Sequence, residues 1–166
     1  MYTAFYTSPV GIIKIECSDE HVHSILFYSE EQTEIVSEFN HPLLQTCSQQ
    51  LTEYFEGKRK SFDLPLQQNG TTFQQNIWEK LQKIPYGKTI SYMDLARQTG
   101  DSKAIRAVGA ANGKNHIAIV VPCHRVIGSN AKLTGYAGGL WRKRWLLEHE
   151  AKYTAGVQQL FAPVGA

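Results

Sequence analysis

Residues 2–28, "YTAFYTSPVGIIKIECSDEHVHSILFY", alternate apolar and polar side chains, with turn residues at Ser8-Pro9 and Ser18-Asp19-Glu20. A period of two over short runs predicts two or three antiparallel strands. The period then changes. In "HPLLQTCSQQLTEYFEGK", Leu44, Cys47, Leu51, Tyr54 and Phe55 recur at helical spacing until Gly57 stops the run, and "EEQTEIVSEFN" before it also predicts a helix. "LPLQQNGTT", residues 64–72, breaks both patterns and is the expected linker.

Beyond the linker, "TFQQNIWEKLQKI" carries Phe73, Ile77, Trp78, Leu81 and Ile84 on one face, and Pro85-Tyr86-Gly87 closes it. "SYMDLARQTG" predicts a short helix ended by Gly100, and "DSKAIRAVGAANGK" a second one capped by Asp101 or Ser102. Two short helices about a tight glycine turn make a helix-turn-helix pattern. The apolar run opening "IAIVVPCHRVIG", residues 117–128, reads as a buried strand. A glycine-rich loop, "SNAKLTGYAGG", and a last helix, "LWRKRWLLEHEA" with Trp141, Trp145 and Leu147, follow. That loop fits neither GxGxxG nor GxxxxGK[ST], so it is read as the mobile wall of a pocket and not as a phosphate cradle. The pattern describes an α/β (α+β) chain: an N-terminal domain over residues 1–70, a second domain over 71–152, and an uncharged tail over 153–166.

Composition narrows the class. With 42% hydrophobic and 19% charged residues, the chain has the makeup of an ordinary globular protein and not of a disordered one. No apolar run approaches the ~18 residues of a membrane helix, and the N-terminus has no signal-peptide pattern, so a cytoplasmic location is expected. Cys17, Cys47 and Cys123 form no CxxC pair, which suits a reducing compartment and leaves any special cysteine acting as a thiol.

Charge separates the halves. Residues 1–70 hold 4 Lys and Arg against 10 Asp and Glu, net −6, whereas residues 71–152 hold 13 against 5, net +8. A basic second half meets a polyanion or solvates a helical surface. In its second short helix, Ala104, Ala107, Gly109, Ala110 and Ala111 leave Arg106 as the one large side chain in mid-helix. Small residues permit close helix packing or entry into a DNA groove, and the charge favours DNA.

Cys123 is followed by His124 and Arg125, neighbours that favour the reactive thiolate. On an extended chain adjacent residues face opposite ways, so His124 reaches the sulfur through a water, or because Pro122 breaks the strand. Glu150, at the end of the last helix, is the candidate to orient the imidazole. The alternatives are an inert core thiol and a solvated helix end. Adjacent Cys and His make poor joint metal ligands, and Cys17, His21 and His23, though at ligand-like spacing, lack a fourth group and are taken as surface residues.

Together, "IPYGKTISYMDLA", "RAVGAANGKN", "VPCHRVIG", "GYAGG" and "LLEHE" resemble, in order, the methylated-DNA-protein-cysteine methyltransferases, the alkylguanine-DNA alkyltransferases. The likeness is dense from about residue 70 to 152, and "TSPVGIIKI" fits the family's small N-terminal domain. The resemblance implies a ribonuclease H-like antiparallel-sheet domain followed by a mainly helical, winged helix-turn-helix-like domain. It implies single-use transfer of an alkyl group from O6 of guanine, and from O4 of thymine, to Cys123 after base flipping. His124 would be the water-mediated base, Glu150 its polarising carboxylate, and Asn115 the residue fixing the turn before the active-site strand. Tyr92 would donate a proton as the alkyl group leaves and crowd the target phosphate. Arg106 would enter the base stack, with Met93 and Ser129 touching the DNA backbone. The carbonyls of Cys123 and Val126, with Tyr136, Ala137 and Gly138, would line the guanine pocket. The implied partner is double-stranded DNA carrying O6-alkylguanine, bound by a monomer without cofactor, metal or membrane.

Two positions depart from the family pattern: His116 follows Asn115 where Pro is common, and Ala137 stands where many members have Ser. Two rival functions share these residues. One is a non-catalytic lesion-binding protein, against which Cys123 itself argues, since such relatives carry Trp there. The other is a thiol hydrolase using Cys123, His124 and Glu150, which would not need a basic helix-turn-helix.

Overall fold

The computed structural model describes residues 1–28, 38–130 and 132–154. Most of the helix expected from "EEQTEIVSEFN", residues 30–37, and most of the tail fall outside the described residues. The chain divides into two compact units, Met1–Asn69 with His116–Val120, and Gly70–Asn115 with Val121–Ala166. No helix among the described residues is long and apolar enough to cross a membrane.

In the first unit the alternating stretch forms β1 (Tyr2–Ser8), β2 (Gly11–Cys17) and β3 (Val22–Phe27), an antiparallel sheet in that order. The register pairs Ala4 with Ile15 and Ile15 with Ile25, stacking apolar residues on one face, and all three are fully buried. Helix α1 (Pro42–Phe55) covers that face with Leu44, Cys47, Leu51 and Tyr54. Two isolated parallel bridges, Val22 with Leu66 and Ile25 with Ile117, occupy the free edge of β3, so the expected linker is in part an edge partner. Cys17 is fully buried, which corrects its reading as a surface residue: the period that buries Ile13 and Ile15 carries it inward.

The second unit opens with α2 (Thr72–Gln82), started by a Thr71 and Gln74 capping box. A Cβ on Gly70 would lie 2.5 Å from the Trp78 ring, so only glycine fits there. Trp78 donates its indole N–H to the Ala111 carbonyl at 2.9 Å, tying α2 to α4 (Ile105–Gly113). The helix-turn-helix is α3 (Tyr92–Gln98) and α4, with Asp101 capping a 3-10 turn (Ser102–Ala104) that leads into α4. The two-residue strands β4 (Ile90–Ser91) and β5 (Val126–Ile127) pair in parallel beside them. Helix α5 (Leu140–Lys152) ends the described chain. Phe73, placed by periodicity on the apolar face of α2, is exposed, and so is Trp141 in α5.

The expected strand before Pro122 does not form. Ile117 makes one bridge, residues 118–121 turn, and Ile119 has φ 70°. A positive φ at a β-branched residue costs about 1–3 kcal/mol of backbone strain. Apolar content made the run look like a strand, but its ladder partners are missing beyond Ile117.

Candidate active site

Because Pro122 has no N–H and a fixed φ, the chain folds after it into a 3-10 turn, Cys123–Arg125, instead of continuing extended. At three residues per turn, three consecutive side chains leave in three directions. Cys123, His124 and Arg125 are all buried.

Two of them converge on Glu150, which α5 delivers from its buried face and which is itself fully buried. His124 Nε2 lies 2.6 Å from Glu150 Oε2. Arg125 donates from Nε to Oε1 at 2.8 Å and from Nη2 to Oε2 at 3.2 Å, while its Nη1 donates to the Ile84 carbonyl at 2.7 Å. Gly87, at φ 77° in the Pro-Tyr-Gly turn, adds its N–H to Oε1 at 3.2 Å. Burial alone would push the Glu150 carboxyl up, but His124, Arg125 and their hydrogen bonds hold it well below the usual carboxylate range. Burial also lowers His124, against the pull of Glu150, so the imidazole rests neutral. With the carboxylate accepting from Nε2, the other nitrogen is an acceptor; Nδ1 is buried with no hydrogen-bond partner.

Cys123 is 7% exposed, at the wall of a cavity of about 390 Å³ lined by Tyr92, Asn112, Asn115, Thr134, Tyr136 and Ala137, with glycines 109, 113 and 135. Burial raises the Cys123 thiol, and the Asn115 side chain, the Lys143 charge and main-chain N–H groups oppose that rise. The resting site therefore holds a thiol whose anion has donors waiting, and these are not the imidazole that adjacency suggested. Tyr92, first residue of α3, donates its hydroxyl to the Thr134 carbonyl at 3.2 Å. Burial, then the neighbouring Cys123, raises its phenol, so it keeps its proton at neutral pH.

Of the residues predicted from sequence, Cys123, Asn115, Tyr92, Tyr136 and Ala137 line the cavity, while His124 and Glu150 lie behind Cys123 in the buried network. Asn115 donates from Nδ2 to the Val121 carbonyl at 2.8 Å, joining the two ends of the 116–120 segment. His116 uses an N–H that proline would lack to donate to Gln68 Oε1 at 2.9 Å. Val126 and Gly138 are not cavity-lining residues: the Val126 carbonyl accepts from Lys143 Nζ at 2.6 Å and the Gly138 carbonyl from Arg142 at 2.8 Å. Arg106 and Ser129 are exposed and Met93 half-buried, all outside the cavity.

Two residues escaped the sequence reading, and a third, Arg125, expected there to favour the thiolate, instead shares Glu150 with His124. Lys143 is fully buried, its Nζ donating to the carbonyls of Val126, Thr134 at 2.8 Å and Gly135 at 3.4 Å, and burial lowers its pKa to about 8. Asn112 packs beside Cys123. The signal for Lys143 was available, since it shares a helical face with Leu146, Leu147 and Glu150.

On α4, Arg106, Ala107, Ala110 and Gly113 form the exposed face, continued by Lys114 just past its end. A Cβ on Gly109 or Gly113 would meet nothing within 4 Å, so close packing inside the protein does not require glycine there. Two of the thirteen cations of residues 71–152, Arg125 and Lys143, are buried and contribute nothing to a basic surface. Among the described residues no group of three or more His, Cys, Asp and Glu could hold a metal ion.

Two family models match: 6-O-methylguanine DNA methyltransferase, ribonuclease-like domain, over residues 1–68, and 6-O-methylguanine DNA methyltransferase, DNA binding domain, over residues 72–152. The chain is 45% identical over 153 residues to the methylated-DNA–protein-cysteine methyltransferase of Methanosarcina acetivorans, covering 90% of this chain and 98% of that one. It is 48% identical over 144 residues to the constitutive methylated-DNA–protein-cysteine methyltransferase of Bacillus subtilis, covering 81% and 87%. The solved structure of Mycobacterium tuberculosis OGT in complex with DNA matches with a TM-score of 0.82 at 42% identity, covering 90% of this chain and 92% of that one.

Proposed function

The chain belongs to the 6-O-methylguanine DNA methyltransferase family, and from that premise we propose how its own residues perform the family's direct repair of alkylated DNA. Its activity is that of a methylated-DNA–protein-cysteine methyltransferase, and DNA is its partner. Cys123 is the acceptor. Its thiol proton passes through one bridging water to Nδ1 of His124, whose Nε2 is held by Glu150. The sulfur attacks the alkyl carbon on O6 of a flipped guanine; the S–C bond forms as the C–O6 bond breaks. Tyr92 gives its proton to the departing base, which leaves as neutral guanine. The product thioether has no route back to thiol, so each molecule reacts once.

Asn115 positions the thiol, and Tyr136 and Ala137, with the Cys123 carbonyl, surround the base, while the Val126 and Gly138 carbonyls anchor Lys143 and Arg142. Arg106 fills the vacated stack, and Met93 and Ser129 hold the backbone on the α3–α4 side. The open space at Gly109 and Gly113 supports entry of DNA against α4. The protein acts as a cytoplasmic monomer, a location that its three free thiols favour.

The observation that carries this reading is a buried cysteine on the wall of a base-sized cavity, backed by a buried His–Glu pair at 2.6 Å. Intact and peptide mass after mixing with excess O6-methylguanine duplex tests it. One methylene gained on the Cys123 peptide, reached at one equivalent and then stopping, is the expected outcome. Tight binding with unchanged mass would instead make the protein a lesion-recognition module.

A further inference from the structure

We propose that Asn69-Gly70 is a self-modification site, at which the main chain of the linker converts Asn69 to aspartate and isoaspartate with release of ammonia. The chain holds two Asn-Gly pairs, Asn69-Gly70 and Asn112-Gly113. Both have the sequence this chemistry favours: the main-chain nitrogen after the asparagine must reach the side-chain carbonyl carbon, and a following glycine has no Cβ to obstruct it. The fold treats the two pairs oppositely.

Asn69 and Gly70 are exposed, in a stretch without regular secondary structure over residues 67–71. Among the described residues, neither the Asn69 side chain nor the Gly70 N–H makes a hydrogen bond. The residues on either side are anchored: Gln68 Oε1 accepts from the His116 N–H at 2.9 Å, and the Thr71 hydroxyl caps α2 by accepting from the Gln74 N–H at 3.1 Å. Asn112-Gly113 instead closes the last turn of α4, with Asn112 4% exposed and its Nδ2 donating to the Cys123 carbonyl at 3.4 Å. There the glycine nitrogen belongs to the helical ladder, so attack requires that turn to open first.

The step balances with water as its only co-reactant. The Gly70 nitrogen attacks Cγ of Asn69; the N–Cγ bond forms, the Cγ–Nδ2 bond breaks, and ammonia leaves with the proton that the nitrogen gives up. Water then opens the five-membered imide at either carbonyl. Attack at Cγ leaves aspartate, and attack at the main-chain carbon leaves isoaspartate. Either product adds a negative charge just before the N-cap of α2, where the helix dipole favours it. The isoaspartate also lengthens by one atom the main chain between the anchored residues Gln68 and Thr71.

The test is incubation of the folded protein in warm neutral buffer, followed by peptide mass and separation against synthetic aspartyl and isoaspartyl standards. The peptide carrying residue 69 should gain the mass of an amide becoming an acid, with isoaspartate present, at least about tenfold faster than the peptide carrying residue 112. In urea, where the fold no longer distinguishes the pairs, the two rates should converge. Asn69→Gln, whose longer side chain would have to close a six-membered ring, should lose the gain. Equal rates at the two pairs in folded protein would overturn the proposal. A gain that survives in Asn69→Gln would also overturn it, by placing the reaction on Gln67 or Gln68. So would an Asn69 that stays intact in folded protein over the time in which the unfolded chain converts, since the fold would then protect the linker.

Discussion

In the sheet unit, Cys17 is fully buried with its sulfur 3.9 Å from Nδ1 of His41; in the helical unit, Cys123 is almost as buried and directly precedes His124. The two histidines are spent differently. His41 caps α1 by accepting the Leu43 N–H on Nδ1 at 3.1 Å, and its Nε2 lies 3.4 Å from Asp19. His124 gives one nitrogen to Glu150 and keeps Nδ1 unpartnered. The thiols differ in the same way. Burial raises Cys17, with Asp19 adding to the rise against the amino terminus, and raises Cys47 to about 12, with Cys17 adding to it. Burial raises Cys123 too, but an amide, a lysine and main-chain N–H groups all pull against it. A histidine at contact distance does not make a nucleophile; donors aimed at the sulfur and a base with one nitrogen unspent do.

The most damaging way to break this contrast is to remove the carboxylate that four donors share. Glu150→Gln leaves Arg125 buried without its counter-charge and should cost about 3–5 kcal/mol in denaturant unfolding. It should also slow transfer to Cys123 by about a hundredfold or more in single-turnover assays. The pH dependence has a definite sign. A carboxyl held low in the folded state contributes stability that is present above its unfolded value of about 4.3 and lost as the pH falls toward the folded one. The wild type should lose stability faster than Glu150→Gln on acidification below about pH 5.

Lys143→Met comes next, since it removes three donated hydrogen bonds and the cation near the thiol. Transfer should slow by about tenfold. Because Lys143 is lowered to about 8, the unfolded chain binds more protons between there and about 10.4. Wild-type stability should therefore gain from this group across that window, and Lys143→Met should lack the gain in urea unfolding at pH 8 and pH 10. Equal slopes would remove Lys143 from the comparison.

Gly109→Ala separates fold from function within one helix. With open space for the new methyl, stability should rise by about 0.5–1 kcal/mol, as for any interior helix glycine replaced by alanine. If α4 enters DNA, duplex affinity should fall at the same time, by titration of a labelled duplex; unchanged affinity would take α4 off the interface.

The smallest effect on chemistry belongs to the other cysteine region. Cys47→Ala should lower stability by about 1 kcal/mol and leave methyl uptake at one equivalent on Cys123. Loss of uptake would show that the two regions are not chemically separate.

Much of this was legible in the sequence. The strands of the sheet follow from a period of two, α1 and α2 from helical spacing, and the helix-turn-helix from Gly100 and its flanks. The motifs around Cys123, His124, Glu150, Tyr92 and Asn115 single out those residues from the sequence alone. The failures have physical causes. Residues 118–121 were misread because apolar content does not distinguish a strand from a buried turn. Cys17 was misplaced because ligand-like spacing was weighed above the strand period that buries it. Arg125 and Lys143 were counted as surface charge because cations are seldom fully buried, and their partners are far off in sequence: Arg125 meets Glu150 across 25 residues, and Lys143 meets Val126 across 17.

By itself the sequence determined the elements, the chemistry available at each motif and the division of charge, because periodicity, capping and covalent neighbours are local properties. Only the tertiary structure decided which nitrogen of His124 is spent and which donors face the sulfur. It alone showed that Oδ1 of Asn112 and Nδ1 of His124 are buried without a hydrogen-bond partner. Those are properties of distance between groups remote along the chain, and burial sets their strength: inside the fold an unmet acceptor or an unpaired charge weighs far more than it would in water.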